Sequence, residues 1–129
     1  MIDFYIKEAL DDHNISFLLQ RSLDLEEDDI FICSNECLEN CIISKSYACL
    51  CVKSIFNGDV SILLELHRVK FNVDMFLQKL QCFCKDKGIT CYVPSNDFDN
   101  YYVITPNRKI FEVMIDQDRT EDKELYFTA

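Results

Sequence analysis

The stretch that decides the fold is YACLCVKSIFNGDVSILLELHRVKF, residues 47–71. Two apolar runs flank the dipeptide Asn57-Gly58, which can supply both positive-φ residues of a type I′ turn. A dipeptide of this type between two apolar runs is the strongest short-range signal for a hairpin. We therefore predict a β-hairpin over residues 47–71, closed by a tight turn at Asn57-Gly58.

A helix is predicted directly after the hairpin. Asn72 can cap its first turn, and Gly88 suits the left-handed position just past its last turn. Lys85 and Lys87 lie where the negative pole of the helix dipole favours a cation. The pattern predicts a helix over residues 73–88, and its apolar stripe consists of Val73, Phe76, Leu77, Leu80, Phe83 and Cys84.

The remaining segments indicate how this hairpin and helix are completed. Residues 2–23 have apolar side chains at mostly helical spacing, which predicts one or two helices broken near His13-Asn14. Residues 35–45 suit one or two turns of helix. Strands are predicted at residues 29–34, 89–93, 101–105 and 109–115, and the closing ELYFTA is predicted as an edge strand.

The order of these elements predicts the fold class. Hairpins replace repeated crossovers, which indicates an α+β fold with a mainly antiparallel sheet. The N-terminal helices and the helix at 73–88 are expected to pack on that sheet. Because no linker or internal repeat interrupts the chain, we predict a single domain over residues 1–129.

Length and composition restrict the class of protein. A chain of 129 residues can bury a core without needing disulfides or a metal. It is 49% hydrophobic and has only two glycines and two prolines, which excludes a disordered chain. Carboxylates at Asp3 and Glu8 argue against a signal peptide, and no apolar run approaches the ~20 residues of a transmembrane helix. We therefore expect a cytoplasmic protein whose eight cysteines are thiols.

The cysteines could in principle bind a metal. Structural zinc sites favour two C-x₂₋₄-C pairs on tight turns, whereas a C-x-C pair on a strand places both thiols on one sheet face. Free cysteine otherwise packs as a small buried hydrophobe. We predict core packing and neither metal nor cofactor, with zinc and redox roles as the alternatives, for Cys33, Cys37, Cys41, Cys49, Cys51, Cys82, Cys84 and Cys91.

Catalytic motifs are not found in the sequence. A pair such as Cys51 with His67 could make a nucleophile and its base, but no strained or Gly-rich turn surrounds either residue. Two glycines cannot build a phosphate-binding loop. The segment starting at Asp116 resembles a calcium loop but has Glu121 where that loop requires glycine. We therefore expect a protein that is not an enzyme.

Charge is distributed unevenly along the chain, whose net charge is −10. Residues 1–41 hold eleven acids and two bases, and residues 111–129 hold six acids and two bases. The basic residues between these ends are scattered over separate predicted elements. An acidic field repels nucleic acid and anionic membranes and accelerates association with basic partners. We therefore predict a protein partner and no nucleic-acid or membrane partner.

The most acidic stretch is SLDLEEDDIFICSNECLENC, residues 22–41, which holds seven carboxylates and no lysine or arginine. It could be a solvated loop whose acids cap neighbouring elements, or an electrostatic docking surface. Two acid-aromatic segments, SNDFDNYY and DQDRTEDKELYF, could extend such a surface. The predicted docking residues are Asp24, Glu26, Glu27, Asp28, Asp29, Glu36, Glu39, Asp97, Phe98, Asp99 and Tyr101.

A small, acidic, unsecreted α+β chain without catalytic motifs resembles the bacterial immunity proteins of contact-dependent growth inhibition systems. The resemblance is to the class, through size and charge, and it carries over no family residue. It implies a non-catalytic antitoxin, a monomer or weak dimer, that binds and neutralises a basic toxin domain. Such toxins are often nucleases, whose substrate-binding surface is basic.

Two alternatives remain open. An acidic secretion chaperone that binds an effector segment has similar size and charge, although such chaperones typically dimerise and end in a helix. This chain ends in the strand-like KELYFTA, which favours the immunity interpretation. The third alternative is an enzyme built on Cys51 and His67, whose substitution would then abolish an activity while leaving the fold intact.

Overall fold

The computed structural model describes residues 2–40, 46–70, 72–95, 99–107 and 110–128, with the main chain alone at 38–40. The α+β prediction is confirmed, because an eight-stranded, mostly antiparallel sheet combines with two α-helices. The helices are α1 (Asp12–Leu23) and α2 (Val73–Lys87), and 3₁₀ turns occupy Glu27–Asp29 and Asn35–Asn40. The strands are β1 (Ile2–Ile6), β2 (Ile30–Ser34), β3 (Cys49–Ile55), β4 (Asn57–Gly58), β5 (Ile62–His67), β6 (Cys91–Pro94), β7 (Asn100–Ile104), β8 (Phe111–Ile115), β9 (Glu124–Leu125) and β10 (Phe127–Thr128).

The strand order in the main sheet is β10-β8-β7-β6-β1-β5-β3-β2. All neighbours in it are antiparallel except β2 and β3, which run parallel. The predicted strands at 29–34, 89–93, 101–105 and 109–115 are thereby confirmed within two residues at each end. The closing strand β10 lies at the edge of the sheet, as predicted.

The N-terminal segment differs from its prediction. Residues Ile2–Ile6 form a central strand rather than the start of a helix, and β1 pairs with β5 on one side and β6 on the other. Phe4 and Ile6 are buried while Tyr5 between them is part-exposed, which is the alternation of a strand. The predicted break near His13-Asn14 is also wrong. There α1 begins, and the Asp11 carboxylate accepts a hydrogen bond from the Asn14 N–H at 2.8 Å.

The hairpin is confirmed in its strands but not in its turn. Strands β3 and β5 pair antiparallel, with Cys51 opposite Leu66. The connection is longer than a two-residue turn. The Phe56 N–H donates to the main-chain oxygen of Ser61 at 2.8 Å, which leaves four residues between the hydrogen-bonded pair. The dipeptide Asn57-Gly58 instead forms β4, which pairs in parallel with β9 near the C-terminus. Pairing with a distant segment therefore replaces the local type I′ turn.

Gly58 is constrained by this pairing in a way that can be tested. Its φ is +96°, and a Cβ atom there would overlap the main-chain oxygen of Leu125. The left-handed conformation alone costs an alanine about 1–2 kcal/mol. Because of the additional overlap, we expect Gly58→Ala to lower the free energy of unfolding by more than this amount. Gly88→Ala is the matched control, because its φ is +70° and nothing lies near its Cβ position. Equal losses in urea unfolding of the two variants would contradict the close approach of β4 and β9.

Helix α2 matches its prediction at both ends. Asn72 caps it by accepting the Met75 N–H on Oδ1 at 3.1 Å, and Gly88 closes it in the left-handed conformation. In the segment predicted as helix at 35–45, a 3₁₀ turn spans Asn35–Asn40, and residues 41–45 lie outside the described part of the chain. Neither α-helix has the length and apolar character to cross a membrane, as judged over the described residues.

The main core lies between the two helices and one face of the sheet. Buried residues of α1 and α2 pack with alternate residues of the central strands. Its largest fully buried side chains include Phe4, Ile6, Ile15, Leu18, Leu64, Leu66, Phe76, Leu80 and Phe83.

A second, smaller layer covers part of the opposite face of the sheet. Phe127 stacks on Tyr92 with ring centroids 4.3 Å apart and contacts Tyr101 edge-on at 5.2 Å. Val103, on the neighbouring strand β7, is opposite Tyr92 in the ladder and is buried. Both α-helices of the described residues pack on the other face of the sheet, so neither covers this face near β1 and β5.

Candidate docking surface

The acidic stretch begins with carboxylates that serve local structure. Asp24 ends α1 in the left-handed conformation with φ 55°, and its side chain pairs with the Lys79 ammonium of α2. Asp29 accepts a hydrogen bond from the Glu26 N–H on Oδ2 at 3.1 Å. These two acids fix the connection between α1 and β2, as the capping interpretation of the stretch requires.

The side chains of Glu26, Glu27 and Asp28 are exposed, and Glu26 also forms a capping box with Asp29 at the start of the 3₁₀ turn. Neither Glu26 nor Glu27 takes part in a salt bridge within the described part of the chain. The negative charge of Glu26 and Glu27 is therefore not cancelled by a lysine or arginine of the described residues. We call Glu26, Glu27 and Asp28 the acidic triplet.

The other acids of the stretch lie apart from the triplet. Glu36 is exposed in the 3₁₀ turn Asn35–Asn40, and its N–H donates to Ser34 Oγ at 3.3 Å. Strand β2 separates it from the triplet, and five residues at ~3.3 Å each span about 16 Å. Glu39 is in the same turn, but its side chain is outside the described structure. The predicted stretch therefore places carboxylates at both ends of β2 rather than in one patch.

In the acid-aromatic segment at 95–102, two of the predicted docking residues, Asp99 and Tyr101, contact other parts of the chain. Tyr101 is part-buried and packs against Tyr5, with ring centroids 5.8 Å apart, so it is no free-standing anchor. Asp99 has a φ of 64°, and its carboxylate accepts from Gln117 Nε2 at 2.9 Å. Asp97 and Phe98, also predicted as docking residues, fall outside the described residues.

Sequence reasoning missed a second group of acids, on the sheet face opposite the two described α-helices. Asp3 of β1 and Glu65 of β5 are directly opposite each other across the ladder. Like charges at such a position repel, and the described residues provide no salt-bridge partner for either. Tyr5 and Tyr101 lie on the same face. We call Asp3, Tyr5, Glu65 and Tyr101 the sheet-face cluster.

The pKa values of both tyrosines in the sheet-face cluster are raised, mainly by burial and partly by the neighbouring acids. Burial raises the pKa of Tyr5 well above its usual value, and Tyr101, Asp3 and Glu65 raise it further. Burial also raises the pKa of Tyr101, with a second contribution from the charge on Asp3. Both phenols therefore stay neutral and present hydroxyl groups beside two carboxylates. The alternation in ILLELH could have indicated that Glu65 lies on the face opposite the core. The position of Asp3 could be predicted only if residues 2–6 were recognised as a strand.

The cysteines are mostly core residues, as predicted, with exceptions. Those at 33, 49, 51, 84 and 91 are buried, whereas Cys37 and Cys82 are exposed and so contradict the prediction. Cys41 lies outside the described residues. Burial raises the pKa of Cys49 to about 11. Among the residues that the structure describes, no three Cys, His, Asp or Glu side chains come close enough to hold a metal ion.

This distribution predicts which thiols react in the folded protein. A buried thiol with a raised pKa is a poor nucleophile, because the thiolate is the reactive species. We expect Cys37 and Cys82 to be modified rapidly by a disulfide reagent at pH 8, and Cys49, Cys51 and Cys91 to be modified only after unfolding. Mass-spectrometric mapping after brief labelling would check this, and early modification of Cys51 would contradict it.

The two residues of the enzyme alternative do not meet. Cys51 is opposite Leu66 in the ladder and lies on the helix-covered face, whereas His67 is opposite Leu50 and so points to the other face. Burial raises the pKa of Cys51, with a further contribution from Cys49. This pair therefore cannot act as a nucleophile and its base. Comparisons of the chain with family models, curated proteins and solved structures find no match.

Proposed function

We propose that this chain is a non-catalytic cytoplasmic inhibitor that binds and neutralises a basic toxin domain, most simply a nuclease. In this role it would act as immunity proteins of contact-dependent growth inhibition systems do. The observation that supports the proposal is the exposed acidic triplet Glu26, Glu27 and Asp28, in a chain whose net charge is −10.

The physical basis of the inhibition is charge competition. A nuclease holds phosphate with lysine and arginine side chains, and carboxylates presented by another protein can pair with the same side chains. The net charge of −10 would steer a basic partner toward the inhibitor before contact. The acidic triplet would form the first contacts. The sheet-face cluster adds a second acidic surface that contains aromatic side chains suited to stacking on arginine.

A secretion chaperone is the second candidate, and a specific observation favours it. Strand β2 lies at the edge of the sheet, and β3 is its one strand neighbour among the described residues. Exposed strand edges can accept an extended segment of another protein through main-chain hydrogen bonds. A chaperone of this kind would bind an unfolded effector segment along β2, whereas an inhibitor would bind a folded domain.

Affinity capture from the native host distinguishes the two candidates. The tagged protein would be used to capture partners, which would be eluted with a salt gradient and identified by mass spectrometry. The inhibitor proposal predicts one folded, basic protein bound in a one-to-one ratio and released by salt. An extended effector bound to a stable dimer of this chain would favour the chaperone. Capture of acidic proteins only, or a complex that high salt does not weaken, would contradict electrostatic inhibition.

A further inference from the structure

The sheet face opposite the two α-helices holds two carboxylates that oppose each other across the ladder. Asp3 of β1 is the direct partner of Glu65 of β5. Residues paired in this way have Cβ atoms about 4.5–5.5 Å apart, so like charges on them are destabilising. Within the described residues, neither acid takes part in a salt bridge. The folded chain therefore carries an unfavourable pair of charges at this position.

Aromatic and apolar side chains flank the two acids on the same face. Tyr5 follows Asp3 by two residues on β1, and its ring centroid lies 5.8 Å from that of Tyr101. On the other side of Glu65, the ladder places Val52 of β3, which is buried. The carboxylates thus lie between an aromatic and an apolar surface. A cation bound there would interact with them more strongly than it would in open water.

The sheet-face cluster is accessible, because all four of its side chains are part-exposed. Burial is the main cause of the raised pKa of Tyr5, and Tyr101, Asp3 and Glu65 raise that pKa further. Both carboxylates therefore lie close enough to the Tyr5 hydroxyl for their charges to act on it. A ligand placed between the two acids would contact the tyrosines as well.

Charge decides what can cover this face. A second copy of the chain would bring the same two acids and a net charge of −10, so self-association through this face is repelled. His67 is on the same face two residues after Glu65, and Lys7 is exposed just beyond β1. Neither of these two residues forms a salt bridge in the part of the chain described. A cationic group of another protein complements the face.

We propose that the sheet-face cluster binds an arginine side chain of the basic partner. This assignment rests on the inhibitor role proposed above, since it names the group on the toxin that the second acidic surface recognises. The guanidinium donates to the carboxylates of Asp3 and Glu65 and packs against the ring of Tyr5. Arginine suits the face better than lysine, because its planar fork has five donors, stacks on aromatic rings and is more weakly hydrated than an ammonium.

Two peptides of equal charge test the preference for arginine. The full chain labelled with ¹⁵N would be titrated with acetyl-Gly-Arg-Gly-amide and with acetyl-Gly-Lys-Gly-amide at constant ionic strength. With the arginine peptide we expect saturable shifts of the amide signals of Asp3, Tyr5, Glu65 and Tyr101. The lysine peptide should bind about fivefold more weakly, because an ammonium has no planar fork and stacks less well. Equal affinities, or shifts that do not saturate with the arginine peptide, would overturn the proposal.

Variants assign the binding to the two acids. Asp3→Asn and Glu65→Gln should each weaken binding of the arginine peptide by about fivefold, because each removes a charged acceptor. Glu112→Gln is the matched control, since Glu112 is exposed on β8 opposite Tyr102 and its substitution removes the same charge. It should leave the affinity unchanged. Unaltered affinity in both folded cluster variants would contradict the assignment.

Stability provides a second measurement on the same variants. Asp3→Asn removes the repulsion across the ladder, so it should unfold at a higher urea concentration than the original protein while it binds the arginine peptide less well. A purely structural role of Asp3 would give lower stability and unchanged binding, which would overturn the proposal.

These peptide titrations contain no toxin. Their failure would therefore overturn the arginine site and leave the inhibitor proposal standing on the acidic triplet. Capture of acidic proteins only would instead contradict the inhibitor proposal, whatever the affinity of the peptide.

Discussion

Phe4→Ala is expected to lower the free energy of unfolding by about 3–5 kcal/mol. Phe4 is fully buried on β1 and contacts Phe76 of α2 edge-on, with ring centroids 5.7 Å apart. Because β1 lies between β5 and β6, the substitution would open a cavity at the centre of the main core. Proteins of this size are commonly stable by about 5–15 kcal/mol, so the loss would be a large fraction of the total. Urea unfolding monitored by circular dichroism would measure it.

Phe111→Ala is the matched control for this substitution. Phe111 begins β8 and is 38% exposed, so the same chemical change removes far less buried surface. We expect it to lower the free energy of unfolding by about 1 kcal/mol or less. Equal effects of the two substitutions would contradict the buried, central position of Phe4 on β1.

Reversal of the acidic triplet is expected to slow association with the toxin about 10- to 100-fold at low salt. The variant replaces Glu26, Glu27 and Asp28 by lysine, and all three side chains are exposed. The dissociation rate should change less, because electrostatic steering acts mainly before contact. Stopped-flow measurements at increasing ionic strength would show the difference between variant and original protein shrinking as salt screens the charges.

A second triple variant separates local docking from the field of the whole chain. Asp118, Glu121 and Asp122 are exposed in the C-terminal segment, and their replacement by lysine changes the net charge by the same amount. If the acidic triplet contacts the toxin, this control should slow association clearly less. Equal slowing by both variants would show that net charge alone matters, and no slowing by either would remove the triplet from the docking surface.

Elements with strong local signals were predictable from the sequence. Helix α2 begins at a side-chain cap on Asn72 and ends at Gly88 in the left-handed conformation, and both signals lie within a few residues of the helix. The strands of the hairpin are likewise apolar runs close in sequence. Short-range chemistry determines these elements, so the sequence predicted them correctly.

The errors concern pairings between distant parts of the chain. The apolar residues Phe4 and Ile6 are compatible with either helix or strand in a short segment, and the pairing of β1 with β5 and β6 decides in favour of a strand. The turn at Gly58 was wrong for the same reason, because β9 pairs with it from more than sixty residues away. Local propensity does not contain such information.

The candidate docking surface could be predicted only in part from the sequence. Exposure of the acidic triplet follows from its composition, since charged residues between two elements are seldom buried. The internal roles of Asp24 and Asp29 depend on Lys79 and on the 3₁₀ turn, and the sequence alone did not separate them from the triplet. The approach of Asp3 to Glu65 required the correct register of β1.

The most direct test of the proposed inhibition is a titration of the captured partner's activity with this protein. The partner, assayed as a nuclease on a fluorescent nucleic-acid substrate at about physiological ionic strength, would receive increasing amounts of the purified chain. We predict that activity falls linearly to zero at a one-to-one ratio, and that the acidic-triplet variant needs a large excess. Full partner activity in the presence of saturating, folded chain would contradict the proposal that this protein neutralises a basic toxin.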